Sequence, residues 1–515
     1  MKTKASNNMR GLGVRAGAAL AITLVLAGCG GDSGAGGGSP LGGGPSGEGG
    51  AFSGSAQSAA EYRDTLTSDE AYHLLRRTAF GATPTDVDLA VKRGLSATVD
   101  KLLRDQPLPP ELDELAALYE DNIPKRWMVY LLESPNPLRE HMSLFWHDRF
   151  AASRRILEGW DRNLAVLHWQ MLRDNALGNY RTFLQKLTLD PLMLLWLDGA
   201  RSPKENPNEN YAREFWELFT LGRDVLYTED DIRESARAFT GITLLRDSEE
   251  DARPIYDLLH HDETSKSILP TRAEPSNHDY LSVIDLTLTQ PEAARYVMRN
   301  LFASFAHDHP SEALVDELAR DFVAHDFEIA PLVRKILLSQ AMFSADARGS
   351  RVTSPVEHVV GVARTLDMHM YSEDAQGYTL DRLVDDLRGA GQELLNPPGV
   401  NGWDEQGWLK DQWVLRRASA LGQTMEFGPK RTSELPYHLL PPVETWDQRE
   451  ARTQIVDAMA AVFHLELTEA EREIYIEVLD QNGWRALHLE EPEYRDDQVF
   501  EMIRLMAMDE RVIGL

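Results

Sequence analysis

Residues 206–223 read Asn-Pro-Asn-Glu-Asn-Tyr-Ala-Arg-Glu-Phe-Trp-Glu-Leu-Phe-Thr-Leu-Gly-Arg. Asn206-Pro207 opens a helix, because proline at the first helical position lacks only an N–H that would find no partner there. Gly222 stops it. At about 100° per residue, Asn210, Arg213, Glu214 and Glu217 fall within about 80° of one another. Tyr211, Phe215, Leu218 and Phe219 occupy a different side. The spacing predicts an amphipathic helix with a carboxylate and arginine stripe.

The same punctuation recurs on both sides of that stretch. Thr67-x-x-Glu70 is a capping box, and Thr83-Pro84 and Asn136-Pro137 each open a helix. Thr228, Pro291 and Ser311 start further helices, and a periodic run covers 329–338. Sustained period-2 alternation is almost absent. The expected fold is all-α, a globular body of many short helices. Two stretches break the pattern: a long charged connection at 242–277, and residues 396–408, Asn-Pro-Pro-Gly-Val-Asn-Gly-Trp-Asp-Glu-Gln-Gly-Trp, which read as non-helical. A Pro-rich connection around 428–447 suggests a boundary, giving a main domain at 59–427 and a C-terminal helical extension at 428–515.

The first 28 residues read as a secretory signal, with Lys2, Lys4, Arg10 and Arg15 before an apolar run from Ala16 to Leu26. The run is shorter than the roughly 20 residues a membrane-spanning helix needs. Leu26-Ala27-Gly28-Cys29 resembles the lipobox of bacterial lipoproteins, which implies diacylglycerol and acyl chains such as palmitate on Cys29. Gly30 is not the aspartate of an inner-membrane retention signal, so the expected address is the outer membrane of the cell envelope. Residues 29–58 read as a Gly/Ser-rich tether spanning roughly 30 Å.

The chain carries a formal charge of -29, which disfavours nucleic acid and anionic headgroups as partners. Its one cysteine is the lipidation candidate, so no thiol remains for disulfides or nucleophilic catalysis. Catalysis would have to come from carboxylates, histidines, arginines or hydroxyls.

Two readings of the signature helix stand side by side. In one, Glu209 and Arg213 are an i,i+4 pair on a solvated face. In the other, Glu214, Glu209, Arg213 and His147 are catalytic groups in a cleft, with Asn210, His261, Asp262, Lys266 and Trp403 binding the ligand. Trp216 among the polar groups argues that the stripe is covered, and covered carboxylates need a cation. The following helix repeats the stripe with Asp230, Glu234 and Arg237, so the two could share a polar network. His147, in Phe-Trp-His-Asp-Arg-Phe, reads as a base or metal ligand oriented by a carboxylate, or as a histidine hydrogen-bonded between layers. The cofactor of such a cleft would be a divalent metal, with His147, Glu214 and His261 as candidate ligands. Trp403 and Trp408 would suit stacking on sugar rings, and equally a place in the core. No Gly-rich phosphate loop, Gly-x-Ser-x-Gly elbow or His-Glu-x-x-His occurs.

Asn206 to Glu214 with Leu218-Phe-Thr-Leu-Gly222 and Tyr227-Thr-Glu-x-Asp resembles the signature of the bacterial family catalogued as domain of unknown function 1800. His73 to Pro84, Phe145-Trp-His147, His261-Asp262 through Lys266, and Pro397-Pro398 to Gly402-Trp403 resemble its other motifs in order, over roughly residues 68–425. His147-Asp-Arg-Phe150 stands where the family often has His-Asn-His-Phe. The resemblance implies export, helical structure and often a neighbouring exported protein of phosphatase- or sulfatase-like fold; it implies no activity. The expected function is therefore a hydrolase acting on envelope or extracellular polymer, or a non-catalytic lipoprotein that binds a partner or helps assemble an exported complex.

Overall fold

The computed structural model describes residues 51–157, 163–223, 225–248, 251–269, 275–368, 373–403, 406–410, 414–421, 439–440, 449–480 and 492–513. Cys29, the signal segment and the tether up to Gly50 lie outside the described residues, as does nearly all of 428–447.

Mostly helical, the body uses the caps its sequence carries. Thr67 and Glu70 close a capping box on Ser68–Ala79, Thr83 and Asp86 one on Pro84–Arg93, and Thr228 and Asp231 one on Glu229–Ala238. Each box satisfies two donors that a helix start otherwise leaves unpaired. Helices Pro291–Phe305, Glu312–Ala324 and Ile329–Leu338 bury Val297, Leu301, Phe305, Leu314 and Phe322. Helix Pro137–Arg149 packs on Asn163–Asn175, and at its own C-terminal end Trp146 stacks on Phe150 with ring centroids 5.1 Å apart. Among the described residues no helix is long and apolar enough to cross a membrane.

The all-α expectation fails at one place. Residues Ile242–Ser248 (β1) and Asp251–Tyr256 (β2) pair antiparallel, Ile242 opposite Tyr256 and Leu245 opposite Arg253. A lone hairpin is marginal by itself. This one is held at its base, where Ile242 is buried, and near its turn, where Ala252 is buried, and β1 packs on Gly199–Arg201. Its charged residues mask the alternation in the sequence.

The last part of the expected tether is docked on the body. Gly54 N–H donates to the Phe343 carbonyl at 3.0 Å, Phe52 N–H to Glu70 Oε1 at 2.9 Å, and Gln57 Nε2 to the His309 carbonyl at 3.0 Å. A Cβ on Gly54 would lie 2.0 Å from the Gln340 carbonyl oxygen, so only glycine lets the strap approach this closely. The C-terminal helices are equally part of the body. Thr353 N–H donates to the Ile513 carbonyl at 3.1 Å, His358 Nε2 to the Ala507 carbonyl at 2.7 Å, and Tyr72 stacks on His464 at 4.2 Å. From Ala51 onward the chain clusters as one unit, with no division at 428.

Candidate functional site

The signature helix begins two residues later than expected. Asn208 is its cap, accepting the Asn210 N–H at 2.9 Å, and the α-helix Glu209–Glu214 passes directly into a π-helix, Phe215–Thr220. Such wider turns recur at functional sites. This one carries Phe215, Trp216 and Phe219 into the core. Trp216 Nε1 donates to Thr287 Oγ1 at 3.1 Å, so the indole is a core group rather than a cover over the stripe.

Arg213 is the hub of the stripe. It holds both carboxylate oxygens of Glu229 at 2.8 Å each, with Glu209 at 3.5 Å and Glu217 at 3.8 Å beside it. The Glu229 bond raises the guanidinium pKa above its ordinary value. Glu229 belongs to the next helix, so the two helices are clasped, but the stripe expected on the second pairs elsewhere, Asp230 with Arg233, and Glu234 and Asp262 with Arg237. Glu217 also faces Arg223 at 3.4 Å, and Arg223 reaches Asn401 Oδ1 at 2.9 Å, tying the signature to the late loop. Asn210 turns away and donates to the Leu197 carbonyl at 3.3 Å. Glu214 stands apart. Its Oε2 is buried without a partner, and burial, with Glu217 adding to it, pushes the carboxyl above the usual range.

His147 is fully buried, and its Nε2 accepts the Leu395 N–H at 2.9 Å. That bond leaves the proton on Nδ1, so in this arrangement neither nitrogen has a lone pair free for a metal. Glu140, on the same helix, is held by Arg173 at 2.6 Å. The ring sits among Trp127, His168 and Trp403, at centroid distances of 5.2, 6.1 and 5.0 Å. Burial first, then His168, keeps it neutral. Trp403 donates its main-chain N–H to Asp148 Oδ1 at 2.9 Å, and both Trp403 and Trp408 are buried, so neither offers a face to a sugar. Residues Gln406–Leu409 form a short 3₁₀ turn where the sequence reads as non-helical.

The other loop is a closed polar knot. His261 is buried, with Nδ1 against the Thr240 carbonyl at 3.0 Å. Arg237 binds Asp262 at 2.8 Å and Glu234 at 2.7 Å. Against burial, Arg237 and Thr264 hold the Asp262 carboxyl well below its ordinary range. Lys266 is fully buried, and its three protons go to the Asp262 carbonyl, the Thr264 carbonyl at 3.1 Å and Asn277 Oδ1 at 3.0 Å. Burial lowers its pKa. With every donor taken, the knot fixes the loop.

Among the described residues no three His, Cys, Asp or Glu side chains come together as a metal site. A groove of about 430 Å³ opens elsewhere, beside Met171, Lys186, Asp190 and Tyr280, and none of the sequence-derived site residues lines it. Sequence reasoning passed over the Asp190–His168 pair at 2.8 Å and the Leu258-Leu259 turn. An adjacent leucine pair inside a charged connection was the available signal for the second.

Residues 73–495 match the family described as Protein of unknown function (DUF1800). The chain belongs to that family. The match extends well past the signature motifs into the C-terminal helices, as the single compact unit requires. No curated protein matches the chain, and no solved structure does. In this DUF1800 member the signature's ionic residues interlock between helices, with Glu214 left over.

Proposed function

We propose that the protein is a non-catalytic lipoprotein, exported and anchored to the bacterial outer membrane by lipid on Cys29, that binds a partner through the turn Asp257–His260. The observation carrying this reading is the display of Leu258 and Leu259, 61% and 79% exposed, on a turn that is locked in place. Asp257 accepts the Leu259 N–H at 2.9 Å and pairs with His260 Nδ1 at 2.7 Å, and Lys204 Nζ donates to the Leu259 carbonyl at 2.8 Å. Asp257 N–H donates to the Gly241 carbonyl at 2.7 Å. Gly241 has φ +88°, and a Cβ there would lie 2.7 Å from the Asp257 carbonyl oxygen. Large apolar side chains carried on a fixed main chain leave no backbone freedom to lose on contact, which favours binding. Lys204 and His260 supply a polar rim.

A photo-crosslinking side chain in place of Leu259, with Val323 as an exposed control, tests the turn in cells. A discrete adduct at 259 alone is expected, and an exported protein of phosphatase- or sulfatase-like fold, which the family resemblance implies, is the first mass to seek. Equal labelling at both positions would remove the reading. Fatty-acid labelling of the Cys29→Ala protein tests the anchor separately; undiminished incorporation would refute lipidation at Cys29.

One observation favours the hydrolase instead. Glu214, with an unpartnered oxygen and a carboxyl pushed toward the protonated form, has the character of a general acid. His147 and His261, engaged with main chain and buried, lend that alternative no support.

A further inference from the structure

The connection from Ala347 into the helix Pro355–Thr365 collects four guanidinium groups. Arg77 donates to the Ala347 carbonyl at 2.9 Å and Ser350 Oγ at 3.3 Å, and Arg76 to Thr353 Oγ1 at 3.3 Å. Arg351 holds both oxygens of Glu357 at 2.7 and 2.9 Å. Arg417, on the helical segment 414–421, donates Nη1 to the Thr353 carbonyl at 2.8 Å. Among the described residues Glu357 is the one carboxylate whose charge bears on Arg76, Arg77 and Arg417. Arg77 and Arg417 are buried among these groups, and a buried cation is unfavourable unless an anion accompanies it.

Arg417 is where the excess is concentrated. It is fully buried, and both its Nε and its Nη2 lack a partner. These two nitrogens form one edge of the guanidinium and project parallel N–H groups, the fork that carboxylates and phosphates accept with two oxygens. His358, next to Glu357, also has an unpartnered nitrogen. Its Nε2 donates to the Ala507 carbonyl, so Nδ1 presents a bare lone pair that can take the proton of a protonated oxyanion.

We propose that the Nε/Nη2 edge of Arg417 is a buried binding site for a small oxyanion, with hydrogen phosphate as the best-matched ligand. The anion accepts both N–H groups of the fork and offsets the charge that Glu357 leaves uncompensated. Bound there, it joins the Thr353 connection to the segment carrying Arg417 and acts as a structural ion of the fold. The site lies apart from the signature network and from the Leu258-Leu259 turn.

The test uses the full chain in detergent, freed of oxyanions by exchange into chloride buffer. Added phosphate should raise the melting temperature saturably by a few degrees, with chloride at equal ionic strength giving no such rise. Arg417→Met should abolish the rise, and in chloride it should melt close to the parent, because the lost Thr353 hydrogen bond is offset by removing a buried cation whose Nε and Nη2 have no partner. If Arg417→Met does not fold, crystals of the unaltered protein soaked in arsenate keep the question open to one answer. An anomalous peak against Arg417 Nε and Nη2 supports the site. A carboxylate of the chain itself on that fork, or a parent protein that responds to neither phosphate nor arsenate, overturns it.

Discussion

The Nε2 of His147 accepts the main-chain N–H of Leu395 at 2.9 Å, joining two segments 248 residues apart in sequence. The bond makes this histidine a strut under the late loop. Arg154, Arg155 and Arg388 reinforce the same place through Glu393, at 3.3, 2.6 and 3.1 Å.

Removing the strut should therefore be a stability event. His147→Ala leaves a buried N–H unpaired and a ring-sized void, together about 3 to 5 kcal/mol. His147→Gln, which can still accept a hydrogen bond, should lose less. Urea denaturation of the three proteins checks the order. A midpoint unchanged in His147→Ala would refute the strut.

The N-terminal strap makes a second prediction. A chain starting at Ala51 should match the melting temperature of one that includes the tether, and a chain starting at Ala59 should melt lower, because it lacks the Phe52, Gly54 and Gln57 contacts. Gly54→Ala in the longer chain should reproduce much of that loss, since the added Cβ meets main-chain atoms that cannot swing aside. Identical melting of all four would show that the strap contributes nothing.

How far the sequence reached depends on the range of each interaction. Caps and apolar periodicity are local, so the Thr67, Thr83 and Thr228 caps and the Ile329–Leu338 helix were legible. The Arg213–Glu229 link was not legible, because Glu229 lies outside the Asp230, Glu234 and Arg237 stripe, whose own partners are Arg233 and the Asp262 loop. Ala51–Ser58 was misread because a Gly- and Ser-rich composition predicts disorder, while docking depends on a shallow seat formed by residues 339–344. The role of His147 was hidden because its partner is a main-chain N–H, which carries no residue signal. For Trp403 and Trp408 composition offered two fates, and burial decided for the core.

Acid should destabilise the fold earlier than carboxylate titration alone would. Burial, with Arg351 and Arg77 adding to it against Glu357, lowers His141 to about 4; burial, with Arg417 and Arg76 adding to it, lowers His358 to about 3. A histidine depressed in the folded state contributes its stability above the unfolded pKa and loses it as pH falls through the window between the two values. Loss should start below about pH 6.5 and reach on the order of 3 kcal/mol for His141 near pH 4. Glu357, held at about 2 against burial by Arg351 and His141, adds its own loss as pH falls from the ordinary carboxylate value toward 2. Melting temperature against pH should slope between 6.5 and 4, and His141→Gln should flatten that slope. A parent curve flat to pH 4.5 would contradict the buried neutral histidines.

The signature helix offers the sharpest discrimination between a structural network and a site, because Arg213 and Glu214 are adjacent and differ in their partners. Arg213→Gln breaks the clasp on Glu229 and leaves Glu209, Glu217 and Glu229 without their shared cation, so it should lower the melting temperature. Glu214 is no part of that clasp. Its folded-state pKa is raised by burial and by Glu217, so the folded protein binds its proton more tightly than the unfolded chain does. The stabilising share of such a group is complete below its unfolded pKa and is lost as pH rises through the folded value, leaving a charged, poorly partnered carboxylate at neutrality. Glu214→Gln should therefore raise the melting temperature at pH 7, and the gain should shrink toward pH 4. A loss for Glu214→Gln as large as that for Arg213→Gln would mean that Glu214 has a cationic partner after all. A gain that appears only without added divalent metal, with a metal-induced rise in the parent that the variant lacks, would move the assignment from partner binding to a metal-assisted site at Glu214.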